Sequence, residues 1–173
     1  MVRRGIMSED SALTEFKTGI NFLRKGSSAA AFEHLRRAAE LDQKNPYYVS
    51  FLGVSVARSQ RKWSAAVELC ESALKSKRNE VQFYLNLAEV YVSAGRRDDA
   101  VEVLDKGLIY FRADTRMQQA RANLGKRCTP VLPFLDRAHF LNRSLGKLRG
   151  HLSGRHWKPV SWTRISEPQS VSR

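Results

Sequence analysis

A chain of 173 residues with 42% hydrophobic content has room for one modest core, or for a short solenoid with a tail, which argues against a multidomain enzyme. Five prolines and ten glycines are few, and the abundance of Ala, Leu, Glu, Lys and Arg favours an all-α fold. The net charge of +13 makes an anionic partner worth weighing, but residues 126–173, with ten basic side chains against Asp136 and Glu167, supply most of it.

The first nine residues are expected to be a flexible N-terminus. They begin with Arg3 and Arg4 but contain no apolar run of signal-peptide length, and Met7 before Ser-Glu-Asp reads as an alternative start. No segment approaches the roughly 18 consecutive apolar residues of a membrane span, so a cytoplasmic location is expected.

From Asp10 onward the chain is periodic. Ala31, Ala66 and Ala100 recur at intervals of 35 and 34 residues, each followed by a bulky apolar residue, Phe32, Val67 or Val101. Twenty-one residues before each alanine stands a residue suited to capping a helix, Asp10, Asn45 or Asn79, and the series continues at Asp114. Because the cap-to-alanine interval is constant, the extra residues fall in the connections, where a loop absorbs them cheaply. Nine residues after each cap comes Gly19, Val54 or Ala88, where a first helix must approach a second closely. The second helix carries Leu35, Cys70 and Leu104 four residues after the alanine, and Ala38, Ala73 and Gly107 seven after, one stripe of a helix. Breaks at Lys25-Gly26-Ser27, Gln60-Arg61-Lys62 and Gly95-Arg96-Arg97 precede the capping candidates Ser28, Ser64 and Asp98. Each unit is therefore expected to be a helical hairpin, with units at about 10–44, 45–78 and 79–113.

These stretches, LAEVYVSAGRRDDAVEVLDKGL in the third unit and GINFLRKGSSAAAFEHLRRAAELD in the first, resemble the tetratricopeptide repeat family. The second unit, FLGVSVARSQRKWSAAVELCESAL, departs from the pattern by placing Arg61 where the turn glycine is expected. The resemblance implies an all-α, short solenoid of antiparallel hairpins. A segment at 114–127, TRMQQARANLGKR with Met117, Ala120 and Leu124, is expected to cap it. Pro130 and Pro133 exclude a further helix directly after.

In this family the first helices of the hairpins line the concave face. The resemblance places there Leu13, Phe16, Ile20 and Leu23, then Tyr48, Phe51, Ser55 and Arg58, then Gln82, Leu85, Glu89 and Val92. Of these, Phe16, Ile20, Tyr48, Phe51, Ser55, Arg58, Gln82, Leu85 and Glu89 form the candidate partner-binding groove. Aromatic contact would hold a peptide or helix that Arg58 and Glu89 orient. Leu13, Leu23 and Val92 are better explained as packing between helices. The family's basic clamp for chaperone C-termini would need Lys and Arg where this chain has Phe16, Ile20, Leu52, Gln82 and Asn86, so that ligand is not expected.

The segment 128–149 begins extended and then sets Ala138, Leu141, Leu145 and Leu148 at helical spacing, with Arg137, Arg143, Lys147 and Arg149 on the other surfaces. Three readings of this basic tail stay open: docking on the solenoid, binding an acidic protein or anionic membrane, or binding nucleic acid. Residues 150–173 are expected to be disordered. His151 and His156 have no acidic or thiol companions, and Cys70 and Cys128 lack paired spacing, so neither a metal nor a disulfide is expected.

No nucleophile–base pair, paired carboxylates or phosphate loop stands at usable spacing, and Asp98-Asp99 suits the start of a helix. The expected function is a non-catalytic adaptor for a protein partner, without a cofactor. Two alternatives are a chaperone of type III secretion translocators and a tether whose tail binds nucleic acid or anionic membrane.

Overall fold

The computed structural model describes residues 2–125, with side chains from Asp10 onward. Among these residues the secondary structure is helical: α1 (Val2–Arg24), α2 (Ser28–Leu41), α3 (Pro46–Gln60), α4 (Trp63–Ser76), α5 (Val81–Ser93), α6 (Arg97–Tyr110) and α7 (Thr115–Gly125). Compact units divide at Arg121 and Ala122, and the three hairpins α1–α2, α3–α4 and α5–α6 lie in the first. Short connections force consecutive helices to run antiparallel. Each hairpin also packs on the next, through α2 on α3 and through α4 and α3 on α5.

The core follows the sequence period. Ala31, Ala66 and Ala100 are fully buried, as are Leu35, Cys70 and Leu104 or nearly so. The small alanines let the helices of a hairpin approach closely. A Cβ on Gly19 would lie 2.6 Å from Leu35 Cγ. In the second hairpin Gly53, beside the expected Val54, also stands where the helices come close. A Cβ on Gly53 would stand 2.7 Å from Cys70 Sγ and 2.9 Å from the Ala66 carbonyl. Val54 itself is buried. At the end of the first unit, Met117 of α7 fills the space over Gly107 of α6.

Helix ends differ from expectation at several points. Asn45 caps α3, its side chain accepting the Tyr47 amide at 3.1 Å, and Asp114 accepts the amides of Arg116 and Met117 at 2.9 and 3.1 Å. Asp10 caps nothing, because α1 begins at Val2 and the segment expected to be flexible is helical. Extending an established helix costs far less than nucleating one, and residues 2–9 contain no proline to stop it. Asn79 is displaced by Glu80, which precedes α5 without a side-chain cap. Ser28, Ser64 and Asp98 lie inside α2, α4 and α6, whose preceding residues Ser27, Lys62 and Arg96 make no side-chain cap bond. The backbone at those three starts turns so tightly out of the previous helix that the capping position falls one or two residues earlier.

That turn needs a left-handed residue in every hairpin: Gly26 (φ 79°), Arg61 (φ 54°) and Gly95 (φ 77°). In the first and third, the chain also closes a six-to-one bond, Ser27 N–H to Phe22 O at 2.9 Å and Arg96 N–H to Tyr91 O at 2.8 Å. Arg61 closes the simpler bond to Ala57 O at 3.2 Å. A side chain in this backbone region costs about 1 kcal/mol or more that glycine avoids. Arg61→Gly is expected to stabilise the fold by about 0.5 kcal/mol after the unfolded-state entropy of glycine is counted, raising the thermal midpoint by roughly 2 °C. Gly53→Ala is expected to cost about 1–3 kcal/mol in denaturant unfolding, because the Ala66 carbonyl cannot move aside as a flexible side chain can.

Candidate functional site

The first helices of the three hairpins, α1, α3 and α5, pack side by side, α3 touching both of the others. Their matching stripes form one face because residues three, four and seven apart share a side of a helix. Of the nine candidate groove residues, eight are buried, with Phe16, Ile20, Tyr48, Phe51, Ser55, Gln82, Leu85 and Glu89 between 0% and 6% exposed; Arg58 is half-buried. Leu23 is buried with them, whereas Leu13 at one end of the face and Val92 at the other keep partial exposure.

The buried residues make two layers. The apolar one is an aromatic cluster between α1 and α3: the Phe16 ring lies 4.9 Å from Tyr48, and 5.4 Å from Phe51 in an edge-on arrangement. The polar one links α3 to α5. Gln82 Nε2 donates to Asn86 Oδ1 at 2.8 Å, and Asn86 Nδ2 donates to Ser50 Oγ at 2.9 Å. One turn further, Arg58 Nε donates to Glu89 Oε1 at 2.6 Å while its Nη1 reaches the Leu23 carbonyl at 3.4 Å. Arg58 thereby ties all three helices together.

Burial pushes the Glu89 carboxyl above its ordinary value of 4.5, and the Arg58 guanidinium pulls in the opposite direction without cancelling that effect. Desolvation therefore outweighs attraction at this pair. The two side chains expected to orient a ligand instead hold each other. The basic-tail candidates Arg137, Arg143, Lys147 and Arg149 lie outside the described residues, as do Cys128, His151 and His156.

The tetratricopeptide repeat model matches residues 57–124. That stretch carries the tetratricopeptide repeat. Solved structures match a larger share of the chain. The second such domain of human RPAP3, solved in complex with the HSP70 peptide SGPTIEEVD, is 15% identical with a TM-score of 0.56, and the match covers 71% of this chain and 99% of that one. The TPR2B domain of yeast Sti1, in a complex with pHsp70, is 16% identical with a TM-score of 0.55, covering 69% and 97%. The Arabidopsis OM64 domain is 15% identical with a TM-score of 0.57, covering 68% and 97%. A comparison with curated proteins gives no match.

Within the repeats, the residue that sequence reasoning passed over is Ser50. Its hydroxyl accepts from Asn86 and its carbonyl accepts from the Cys70 thiol at 3.4 Å. The signal was a serine one turn before Gly53 on the side of α3 that faces the next helices, where an apolar residue would ordinarily pack. Among the described residues no three His, Cys, Asp or Glu side chains are placed to hold a metal ion, and no helix is long and apolar enough to cross a membrane.

Two outcomes follow from the Arg58–Glu89 pair. Arg58→Met alone is expected to cost about 3–5 kcal/mol because it strands a buried carboxylate, whereas Arg58→Met with Glu89→Leu is expected to unfold within about 1 kcal/mol of wild type or above it. The folded chain binds the Glu89 proton more tightly than the unfolded chain does. The stability this group contributes therefore falls as pH rises above 4.5, and the double variant should lose that slope in thermal melts across pH.

Proposed function

We propose that the chain is a non-catalytic scaffold that binds a segment of a partner protein along the face formed by α1, α3 and α5. The observation that carries this reading is the continuity of that face across three repeats, with the aromatic cluster at one end and the Ser50–Asn86–Gln82 and Arg58–Glu89 sets at the other. Phe16, Ile20, Tyr48, Phe51, Ser55, Gln82, Leu85 and Glu89 form its rigid floor. Leu13 and Val92, on the same stripes and partly exposed, are the side chains a ligand would reach first, with Leu52 and Arg58 between them.

The domains of RPAP3 and Sti1 named above are in complexes with HSP70 peptide and pHsp70, which supports peptide binding as the mode. The ligand chemistry proposed here differs. Where a clamp for an acidic C-terminus needs cations, this chain has Phe16, Ile20, Leu52, Gln82 and Asn86, and the last two are bonded to each other. A segment with an apolar anchor fits better. The peptide SGPTIEEVD is accordingly expected to show no saturable binding in fluorescence anisotropy.

Alanine at Phe16 or Tyr48 is a poor test, since emptying a buried aromatic site costs about 3–5 kcal/mol of stability. Leu13→Arg combined with Val92→Arg alters the face without hollowing the core. Affinity purification with wild type and this variant is expected to lose the groove partner, a weakening of roughly 10-fold or more in a direct titration. Retention of every partner would remove the groove reading.

A second reading rests on the charge of residues 126–173, ten basic side chains against two acidic, which suits a tether to an anionic surface. A chain ending at Lys126 separates the two. Binding through the tail should disappear with the truncation and weaken steeply with added salt, whereas binding through the groove should survive both.

A further inference from the structure

The turns inside the hairpins come together at one edge of the solenoid. Consecutive helices are antiparallel, so α1, α3 and α5 run parallel and end at that edge. The bond from Arg58 Nη1 to the Leu23 carbonyl at 3.4 Å sets the end of α3 against the end of α1. The first two turns, at Lys25-Gly26-Ser27 and Arg61-Lys62, are therefore neighbours. Lys25, Arg61 and Lys62 are exposed, and none forms an ion pair among the described residues. No acidic residue occurs in the chain around either turn, from Phe16 to Phe32 or from Gln43 to Val67. The third turn bounds the patch: Arg96 is bonded to Asp99 at 2.9 Å and lies over the Tyr91 ring, and Asp98 follows Arg97. At the opposite edge every connection mixes signs, Asp42 with Lys44, Lys77 and Arg78 with Glu80, and Arg112 with Asp114.

Local structure does not account for two of these cations. Arg61 is the one non-glycine residue with positive φ among the described residues, at the position where both other turns have glycine. Lys62 stands at the N-cap of α4, where it has no oxygen to accept an amide bond and where the positive end of the helix repels it. Glycine at the first position and serine at the second would each suit the backbone better. A cation placed where the fold disfavours it points to a role outside the fold.

The surroundings narrow the kind of partner. Gly26, Ser27 and Ala29 at the first turn and Gln60, Ser64 and Ala65 at the second are exposed, and all are small or polar. A bilayer surface would need an apolar face next to the cations, which neither turn offers. An acidic peptide would use the charges alone. The half-buried Trp63, directly after Lys62, adds an aromatic ring among them. A base stacks on such a ring while guanidinium and ammonium groups meet the phosphates beside it. Cations clustered at one edge of a chain with pI ≈ 10.3 fit the same partner. We infer that this edge, through Lys25, Arg61, Lys62 and Trp63, binds single-stranded nucleic acid. The surface is built by the folded hairpins rather than by residues 126–173, and it is separate from the α1–α3–α5 face.

The test uses the full chain and a fluorescently labelled oligouridylate. Lys25→Gln, Arg61→Gly and Lys62→Ser are combined in one variant, which removes three cations while giving the second hairpin a glycine turn and a serine cap. This variant is expected to melt no lower than wild type, so a loss of binding cannot come from unfolding. Its affinity should fall about 10-fold or more, and the slope of log affinity against log salt should become shallower by about 2, three phosphate contacts at roughly 0.7 each. Unchanged affinity and slope overturn the inference, as does a wild type that does not bind the oligouridylate. Phosphatidylserine vesicles and polyglutamate are the comparison anions, and binding to neither is expected to depend on the three residues. Equal weakening towards vesicles or polyglutamate overturns the assignment to nucleic acid.

Discussion

Close approach of two helices within each hairpin is the constraint on which the rest of this structure depends. An alanine at the same position in each second helix, with Gly19 in the first hairpin and Gly53 in the second facing across, lets the pair bury a continuous apolar stripe with little side-chain volume between the axes. The stripe on one helix is too narrow to stabilise a hairpin alone. Each hairpin therefore presents a second apolar surface to the next, and stability comes from stacking as much as from the hairpin itself. The central position of α5 shows the result: every residue from Val81 to Tyr91 is buried, a helix apolar enough on all sides to require neighbours on all sides.

Stacking also decides what the face proposed for a ligand can be. Three first helices brought edge to edge leave a face whose floor is already satisfied, its aromatic rings packed on one another and its polar groups bonded in pairs. Buried polar groups tolerate no partial satisfaction, so the Asn86 and Arg58 networks hold the register between repeats. Arg58 illustrates this, with one end on Glu89 of the third hairpin and the other on the Leu23 carbonyl of the first. A floor held this firmly would give the proposed ligand a preorganised surface, with recognition left to Leu13, Leu52 and Val92.

The repeat period was legible because it is a property of spacing alone. Alanines at 34- and 35-residue intervals, glycines at two of the three turns, and the caps Asn45 and Asp114 each report a local backbone or packing requirement. Other caps were misread for a local reason too: a left-handed turn residue shifts the next helix start by one or two positions, and a tight turn from Arg61 looks the same in sequence as one from glycine only after its φ is known. Asp10 was misread because no residue before it forbids helix, and an existing helix extends until something stops it.

Spacing also named the stripe that runs from Phe16 to Val92, since helical periodicity assigns residues to a side. It did not say how deeply each residue would lie, that Arg58 would be committed to Glu89, or that Ser50 would answer Asn86. Nor did it show that Tyr91 would reach Glu71 on α4 while its ring lay under Arg96. The sequence by itself determined that there are hairpins, how many, and which face of each helix is apolar, because those depend on neighbours within a few residues. Only the tertiary structure decided burial, charge pairing and the shape of the α1–α3–α5 face, because these depend on side chains some thirty residues apart that come together only when one hairpin lies against the next.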